Sequence, residues 1–122
     1  MAKTVLIVED SELNMKLFND LLEAFGYRTV KTRDGRQALP LAREHKPDLI
    51  IMDIYLKGTK NGLELAQEIH SMDPIPVLFL TASTKPEIVE AIRALKGCHY
   101  LPKPINSDSL EDVLQRFARG EK

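Results

Sequence analysis

Apolar residues fall into short unbroken runs, separated by longer stretches in which they recur every third or fourth position. Val5-Leu6-Ile7-Val8, Leu49-Ile50-Ile51-Met52 and Val77-Leu78-Phe79-Leu80 are the runs. Their length and β-branched content predict strands. Their lack of alternation predicts burial on both faces, as in a parallel sheet covered by helices. Between them the period changes. Residues 11–26 place Met15, Phe18, Leu22 and Phe25 on one helical face, with Leu17 and Leu21 beside it, and Gly26 supplies a stop. Tyr27–Thr32 reads as a second strand, Asp34–His45 as a helix closed by Pro47, Gly58–Asn61 as a loop and Gly62–Ser71 as a helix. Thr84-Lys85-Pro86-Glu87 has the form of a capping box with proline in the first turn, ahead of Ile88, Ala91, Ile92 and Leu95 at helical spacing. A short fifth strand comes next, near Cys98–Leu101. A last helix starts near Ser107 or Asp108 and carries Leu110, Val113, Leu114 and Phe117.

Five strand-then-helix units with right-handed crossovers predict a doubly wound α/β fold with a parallel sheet. One domain accounts for residues 1–122, with a loose tail after about residue 118. Pro40 is in tension with this reading. Inside a helix it removes a backbone hydrogen bond and costs about 3 kcal/mol, so the second helix is expected to kink there or to begin irregularly.

Composition narrows the function. A chain of 122 residues, 43% hydrophobic and 29% charged, is long enough to bury a core without staples. Seventeen basic and eighteen acidic residues exclude a nucleic-acid binder driven by bulk charge. A single cysteine, Cys98, excludes a disulfide framework or a multi-cysteine metal site. No apolar run approaches the roughly 20 residues that span a bilayer, and no signal-peptide core comes after Met1-Ala2-Lys3. The expectation is a cytoplasmic protein with no membrane segment. His45, His70 and His99 lack metal-ligand spacing and read as surface or turn residues.

Ligands of open α/β sheets bind beyond the carboxyl ends of the strands, so the residues just past each run matter most. Glu9 and Asp10 stand after the first, Asp53 after the central one, Thr81 after the fourth, and Lys103, before Pro104, after the fifth. Taken singly, each has a plainer reading: Asp10 as a helix N-cap, Asp53 and Thr81 as turn residues, and Lys103 as a solvated lysine. Together they place three carboxylates, a hydroxyl and an ammonium on one rim. Clustered carboxylates raise each other's pKa or require a cation. Mg²⁺ suits one or two carboxylates, waters and a phosphate oxygen. A lysine and a threonine suit a phosphoryl group, whose transfer needs positioning and charge neutralisation. Asp53, ending the central strand, is the best candidate for a carboxylate nucleophile that forms an aspartyl phosphate.

These residues carry a resemblance. Val5-Leu6-Ile7-Val8-Glu9-Asp10, Met52-Asp53-Ile54, Leu80-Thr81-Ala82 and Tyr100-Leu101-Pro102-Lys103-Pro104, in that order and spacing, resemble the receiver domains of two-component response regulators over nearly the whole chain. Val8–Phe18 looks especially like single-domain receivers of the alphaproteobacterial cell-polarity type. The resemblance implies a flavodoxin-like (βα)5 sandwich with strand order 2-1-3-4-5. It implies that Asp53 accepts a phosphoryl group from a histidine kinase or phosphotransfer protein, and that Mg²⁺ is held by Asp10, Asp53 and the Tyr55 carbonyl, with Glu9 assisting through water. Lys103 would pair with the phosphate, and Lys103-Pro104 would be cis. Thr81 and Tyr100 would switch a downstream protein-binding surface on the fourth helix, fifth strand and fifth helix, with no attached output domain and no direct nucleic-acid contact. The kinase-facing surface would be the first helix around Leu13, Asn14 and Met15, with Pro104 and Ile105.

Four features depart from the commonest receiver pattern. The stretch Leu56–Gly62 is one residue longer, Tyr55 is bulky, Ser83 occupies a second position that tunes dephosphorylation, and Pro40 interrupts a helix. Three other functions compete. A Mg²⁺-dependent phosphohydrolase would carry Asp-x-Asp after the first strand, where Glu9-Asp10-Ser11-Glu12 stands. A flavodoxin-like cofactor binder would need a Ser/Thr/Gly-rich loop there. A constitutive interaction domain would have no use for the acidic set, Thr81 and Lys103.

Overall fold

The structure, a computed structural model, describes residues 3–54, 61–81, 85–102 and 106–118. Strands and helices alternate among them: β1 (Thr4–Val8), α1 (Glu12–Ala24), β2 (Arg28–Thr32), α2 (Ala38–His45), β3 (Leu49–Met52), α3 (Gly62–His70), β4 (Val77–Thr81), α4 (Pro86–Ala94), β5 (Cys98–Pro102) and α5 (Ser107–Ala118). The strands form one parallel sheet of order β2-β1-β3-β4-β5: the parallel, doubly wound sheet expected from the alternation, in the order that the resemblance implies.

All of β3 and β4, and β1 from Val5 onward, are buried, because helices cover both faces. Alternate strand residues point to opposite faces. Leu6, Val8, Ile50, Met52, Val77 and Phe79 pack with α2, α3 and α4 through Ala38, Ala42, Leu65, Ala66, Ile69 and Ile92. Val5, Ile7, Leu49, Ile51, Leu78 and Leu80 pack with α1 and α5 through Met15, Phe18, Leu22, Leu110 and Leu114. The α1 stripe read from the sequence is the buried one, except that Leu17 is exposed and Leu21 and Phe25 sit at its margin.

The helix ends explain the boundaries. Ser11 caps α1, its Oγ accepting the Asn14 N–H at 3.3 Å. Gly26, at φ +90°, reverses the chain after α1, and the Tyr27 N–H closes the turn on the Leu22 carbonyl at 3.0 Å. Asn61 caps α3 by accepting the Glu64 N–H at 3.0 Å. The Asn106 Oδ1 accepts the Asp108 N–H at 2.8 Å ahead of α5.

Two helix starts differ from the sequence reading. The single helix expected over 34–45 is a 3₁₀ turn, Gly35–Gln37, and then α2 from Ala38. Pro40 therefore lies in the first turn of α2, where a backbone N–H has no helical partner to lose. At the start of α4 Lys85 is the N-cap and makes no side-chain cap bond. Pro86 at the first helical position holds Lys85 extended, and Thr84 lies outside the described residues. The tail expected after residue 118 lies outside them as well.

α2 ends on Lys46 in the left-handed conformation, φ 46° and ψ 60°, ahead of Pro47. A side chain there carries strain that glycine avoids. Lys46→Gly is therefore expected to stabilise the fold by about 0.5–1 kcal/mol, raising Tm by about 2–4 °C in thermal unfolding followed by circular dichroism. An unchanged or lower Tm would contradict the assignment.

Candidate functional site

Strand register decides which polar residues meet. Val8 pairs with Met52 across β1 and β3, and Met52 with Phe79 across β3 and β4. One step onward, Glu9 lies beside Asp53. The backbone agrees: the Asp53 N–H donates to the Val8 carbonyl at 3.3 Å, and the Glu9 N–H to the Thr32 carbonyl at 3.1 Å. The structure thus brings Glu9, Asp10, Asp53 and Thr81 to the carboxyl end of the sheet. Lys103, Tyr55, Ser83, the Lys103-Pro104 bond, Ile105 and the longer loop over 57–60 lie outside the described residues.

Two of the modest alternative readings, those for Asp10 and Thr81, now meet an observation. Asp10 is not a helix cap, because Ser11 performs that task. It is half-buried, as is Asp53. Thr81 is no turn residue: it ends β4 with 0% exposure, inside a strand of Val, Leu and Phe. Its alternation puts it on the face shared by Phe79, Tyr100 and α4, and Phe79 pairs with Tyr100 in register. Thr81 and Tyr100 therefore occupy one face of neighbouring strands.

The three carboxylates do not form a closed triple. Among the described residues no three His, Cys, Asp or Glu side chains group closely enough to hold an ion by themselves. Glu9 supplies a reason: it is 2% exposed, and its Oε2 accepts the Ser11 N–H at 3.0 Å, so part of its charge is satisfied by the start of α1. The remaining donor set still fits Mg²⁺. Hard oxygen ligands from two half-buried carboxylates match an ion that takes one or two carboxylates and keeps much of its hydration shell.

Three residues that sequence reasoning did not single out support the rim. Gly62, the first residue of α3, donates its N–H to the Ile54 carbonyl at 2.6 Å. A Cβ at Gly62 would lie 2.6 Å from the Asp53 carbonyl oxygen and 2.9 Å from the Ile54 Cα. Only glycine lets α3 seat against the backbone of Asp53. Ser11 fixes the start of α1. Arg33, just past β2, donates from Nε and Nη2 to the Asp10 carbonyl at 3.1 and 3.0 Å. Asn61-Gly62 was legible as a helix start, but its contact with Asp53 crosses the chain and leaves no local trace. Arg33 has no local signal either.

The other reactive side chains are structural. Burial pushes the Cys98 thiol up to about 11, so it stays protonated and unreactive at neutral pH. The His70 Nε2 lies 2.7 Å from the Ile75 carbonyl and ties the end of α3 to the loop behind it. His99 is held below its usual pKa by burial and then by the Arg116 charge. His45 is exposed beside Glu44.

Comparison with known proteins bears on the family and the fold. The family model of the response regulator receiver domain matches residues 5–115. The chain is 52% identical over 121 residues to the polar-differentiation response regulator DivK of Brucella anthropi, covering 96% of this chain and 97% of that one. It is 51% identical, over the same shares, to DivK of Brucella ovis. Among solved structures it resembles the chemotaxis protein CheY4 of Vibrio cholerae, with TM-score 0.87 and 30% identity over 96% of this chain and 99% of that one. It also resembles the N-terminal domain of a response regulator/sensory box/GGDEF protein from Carboxydothermus hydrogenoformans, with TM-score 0.85 and 34% identity over 96% and 94%.

Gly62→Ala is expected to force α3 away from Asp53. Overpacking of this kind costs about 1–3 kcal/mol, so Tm should fall by about 3–10 °C. Amide shifts of Asp53 and Ile54 should move in a ¹⁵N correlation spectrum, and unmoved shifts would contradict the close approach.

Proposed function

We propose that this chain, which belongs to the response regulator receiver domain family, works by taking a phosphoryl group onto Asp53. Family membership makes it a two-component signalling protein rather than a classical enzyme. The observation that carries the finer reading is the β1–β3 register, which sets Asp53 beside Glu9-Asp10, with Thr81 one strand away.

Asp53 is the nucleophile. One of its carboxylate oxygens attacks the phosphorus of a phosphohistidine on a histidine kinase or phosphotransfer protein. The P–N bond breaks, the imidazole leaves and takes up a proton, and an acyl phosphate remains. Asp10 and Asp53 would hold Mg²⁺, with Glu9 assisting through water and the Tyr55 carbonyl as a further ligand. Mg²⁺ supplies charge neutralisation on the phosphoryl oxygens. Lys103 pairs with the phosphate, and the Thr81 hydroxyl donates to a phosphoryl oxygen. The same groups assist later loss of the phosphoryl group to water.

The output is a surface change. Thr81 and Tyr100 share the α4 face of the sheet, so a shift of the Thr81 hydroxyl has a short path to Tyr100 and to the surface of α4, β5 and α5, where a downstream protein binds. The kinase-facing surface is α1. Leu13 is 78% exposed there, beside an open groove of about 870 Å³ lined by Leu13, Lys16, Asn19 and Lys31. Met15 is mostly buried against the sheet but also lines this groove, and Leu17 is exposed on the same helix. The place of action, on this reading, is the cytoplasm, where the phosphohistidine donor is made. Among the described residues no helix is long and apolar enough to cross a membrane.

Incubation with Mg²⁺ and acetyl phosphate, then phosphate-affinity gel electrophoresis, tests the chemistry. A slower band is expected for the wild type, absent in Asp53→Asn and absent with EDTA. A band that persists in Asp53→Asn would overturn the assignment of Asp53.

A further inference from the structure

The β1–α1 turn carries Asp10, and its backbone is tied down on both sides. The Glu9 N–H reaches back to the Thr32 carbonyl of β2 at 3.1 Å. The Ser11 N–H is held by the Glu9 carboxylate at 3.0 Å, and the Ser11 Oγ caps α1. Between these anchors the Asp10 carbonyl accepts two N–H groups of one guanidinium, the Arg33 Nε at 3.1 Å and Nη2 at 3.0 Å. Arg33 is next in sequence to Thr32, so the fork and the Glu9–Thr32 bond come from adjacent residues and act as one clamp. β2 is an edge strand, and this clamp couples its end to the rim.

We propose that Arg33 is a positioning residue for the Asp10 carboxylate, acting on cation binding and through it on phosphorylation. The proposal rests on the reading of Asp10 as a Mg²⁺ ligand. The reason is preorganisation. A ligand on a turn that is already fixed loses little freedom when the ion arrives, whereas a loose turn must be ordered at the moment of binding. A planar fork holds one oxygen from two donors, which the single point charge of a lysine does not reproduce.

Charge and geometry predict opposite signs. Arg33 is a cation near a cation site, so a purely electrostatic role means that its removal tightens Mg²⁺ binding. A positioning role means that its removal weakens it. Calorimetric titration of Mg²⁺ into wild type, Arg33→Gln and Arg33→Lys separates them, with thermal unfolding run in parallel. Arg33→Gln is expected to weaken Mg²⁺ about tenfold, the low end of what loss of support to a metal ligand costs, while Tm changes by only about 2 °C, the scale of an exposed hydrogen bond. Arg33→Lys should fall between it and the wild type. Tighter or unchanged binding in Arg33→Gln overturns the proposal, as does full recovery in Arg33→Lys, which would show that the two-donor fork is not needed. If Arg33→Gln does not fold, the Arg33→Lys titration decides by the same criterion. A wild type that binds no Mg²⁺ overturns the metal-site reading, and the role of Arg33 with it. A wild type that binds Mg²⁺ beside an unaffected Arg33→Gln overturns the clamp alone.

Discussion

The pairing of β1 with β3 is the constraint on which the rim depends. Val8 opposite Met52, secured by the Asp53 N–H on the Val8 carbonyl, makes the two strands end together. Because the strands are parallel and their residues buried on both faces, a one-residue slip would turn every side chain to the other face. The register is thus held by the core, not by the polar residues it delivers. Those residues gain their proximity from a backbone that has no other good arrangement.

Magnitudes support that order of cause. Two carboxylates about 4 Å apart near a protein surface repel by up to about 4 kcal/mol. Burial of one aliphatic side chain contributes about 1.5–3 kcal/mol, and β1 and β3 bury Val5 to Val8 and Leu49 to Met52 completely or nearly so. The core therefore holds charges together that would otherwise separate. Part of the repulsion is relieved locally, since Glu9 is engaged by the Ser11 amide. On the proposed reading, the negative charge that Asp10 and Asp53 bring to the rim is what attracts Mg²⁺.

The strands and their burial on both faces were legible because they rest on local periodicity, whereas the strand order came only from the family resemblance. Asp10, Asp53 and Thr81 could be named because ligands gather beyond strand ends. The irregular start of α2 was half-legible: Pro40 signalled a conflict, but whether a kink or a 3₁₀ turn resolves it depends on packing against β1. At α4 the start falls at Lys85, with Pro86 at the first helical position, one residue past the expected Thr84. Arg33 on the Asp10 carbonyl and Gly62 against Asp53 were not legible at all. Each is a contact between backbone and a residue from another element, 23 positions away for Arg33, and neither periodicity nor residue type encodes it. The same holds for Glu9: its residue type suggests a metal ligand, while its contact with Ser11 shows a carboxylate shared with a helix start.

The central claim is that the rim is one site coupled across the sheet to Tyr100. Backbone amide shifts recorded with Mg²⁺ alone, and then with Mg²⁺ and beryllofluoride, a phosphoryl mimic, test it most directly. Mg²⁺ is expected to shift Asp10 and Asp53, and the mimic to extend the changes to Thr81, Tyr100 and α4 while leaving the start of β2 near Arg28 unmoved. Changes confined to Asp10 and Asp53 with a silent Thr81 and Tyr100, or no response to the mimic at all, would contradict it.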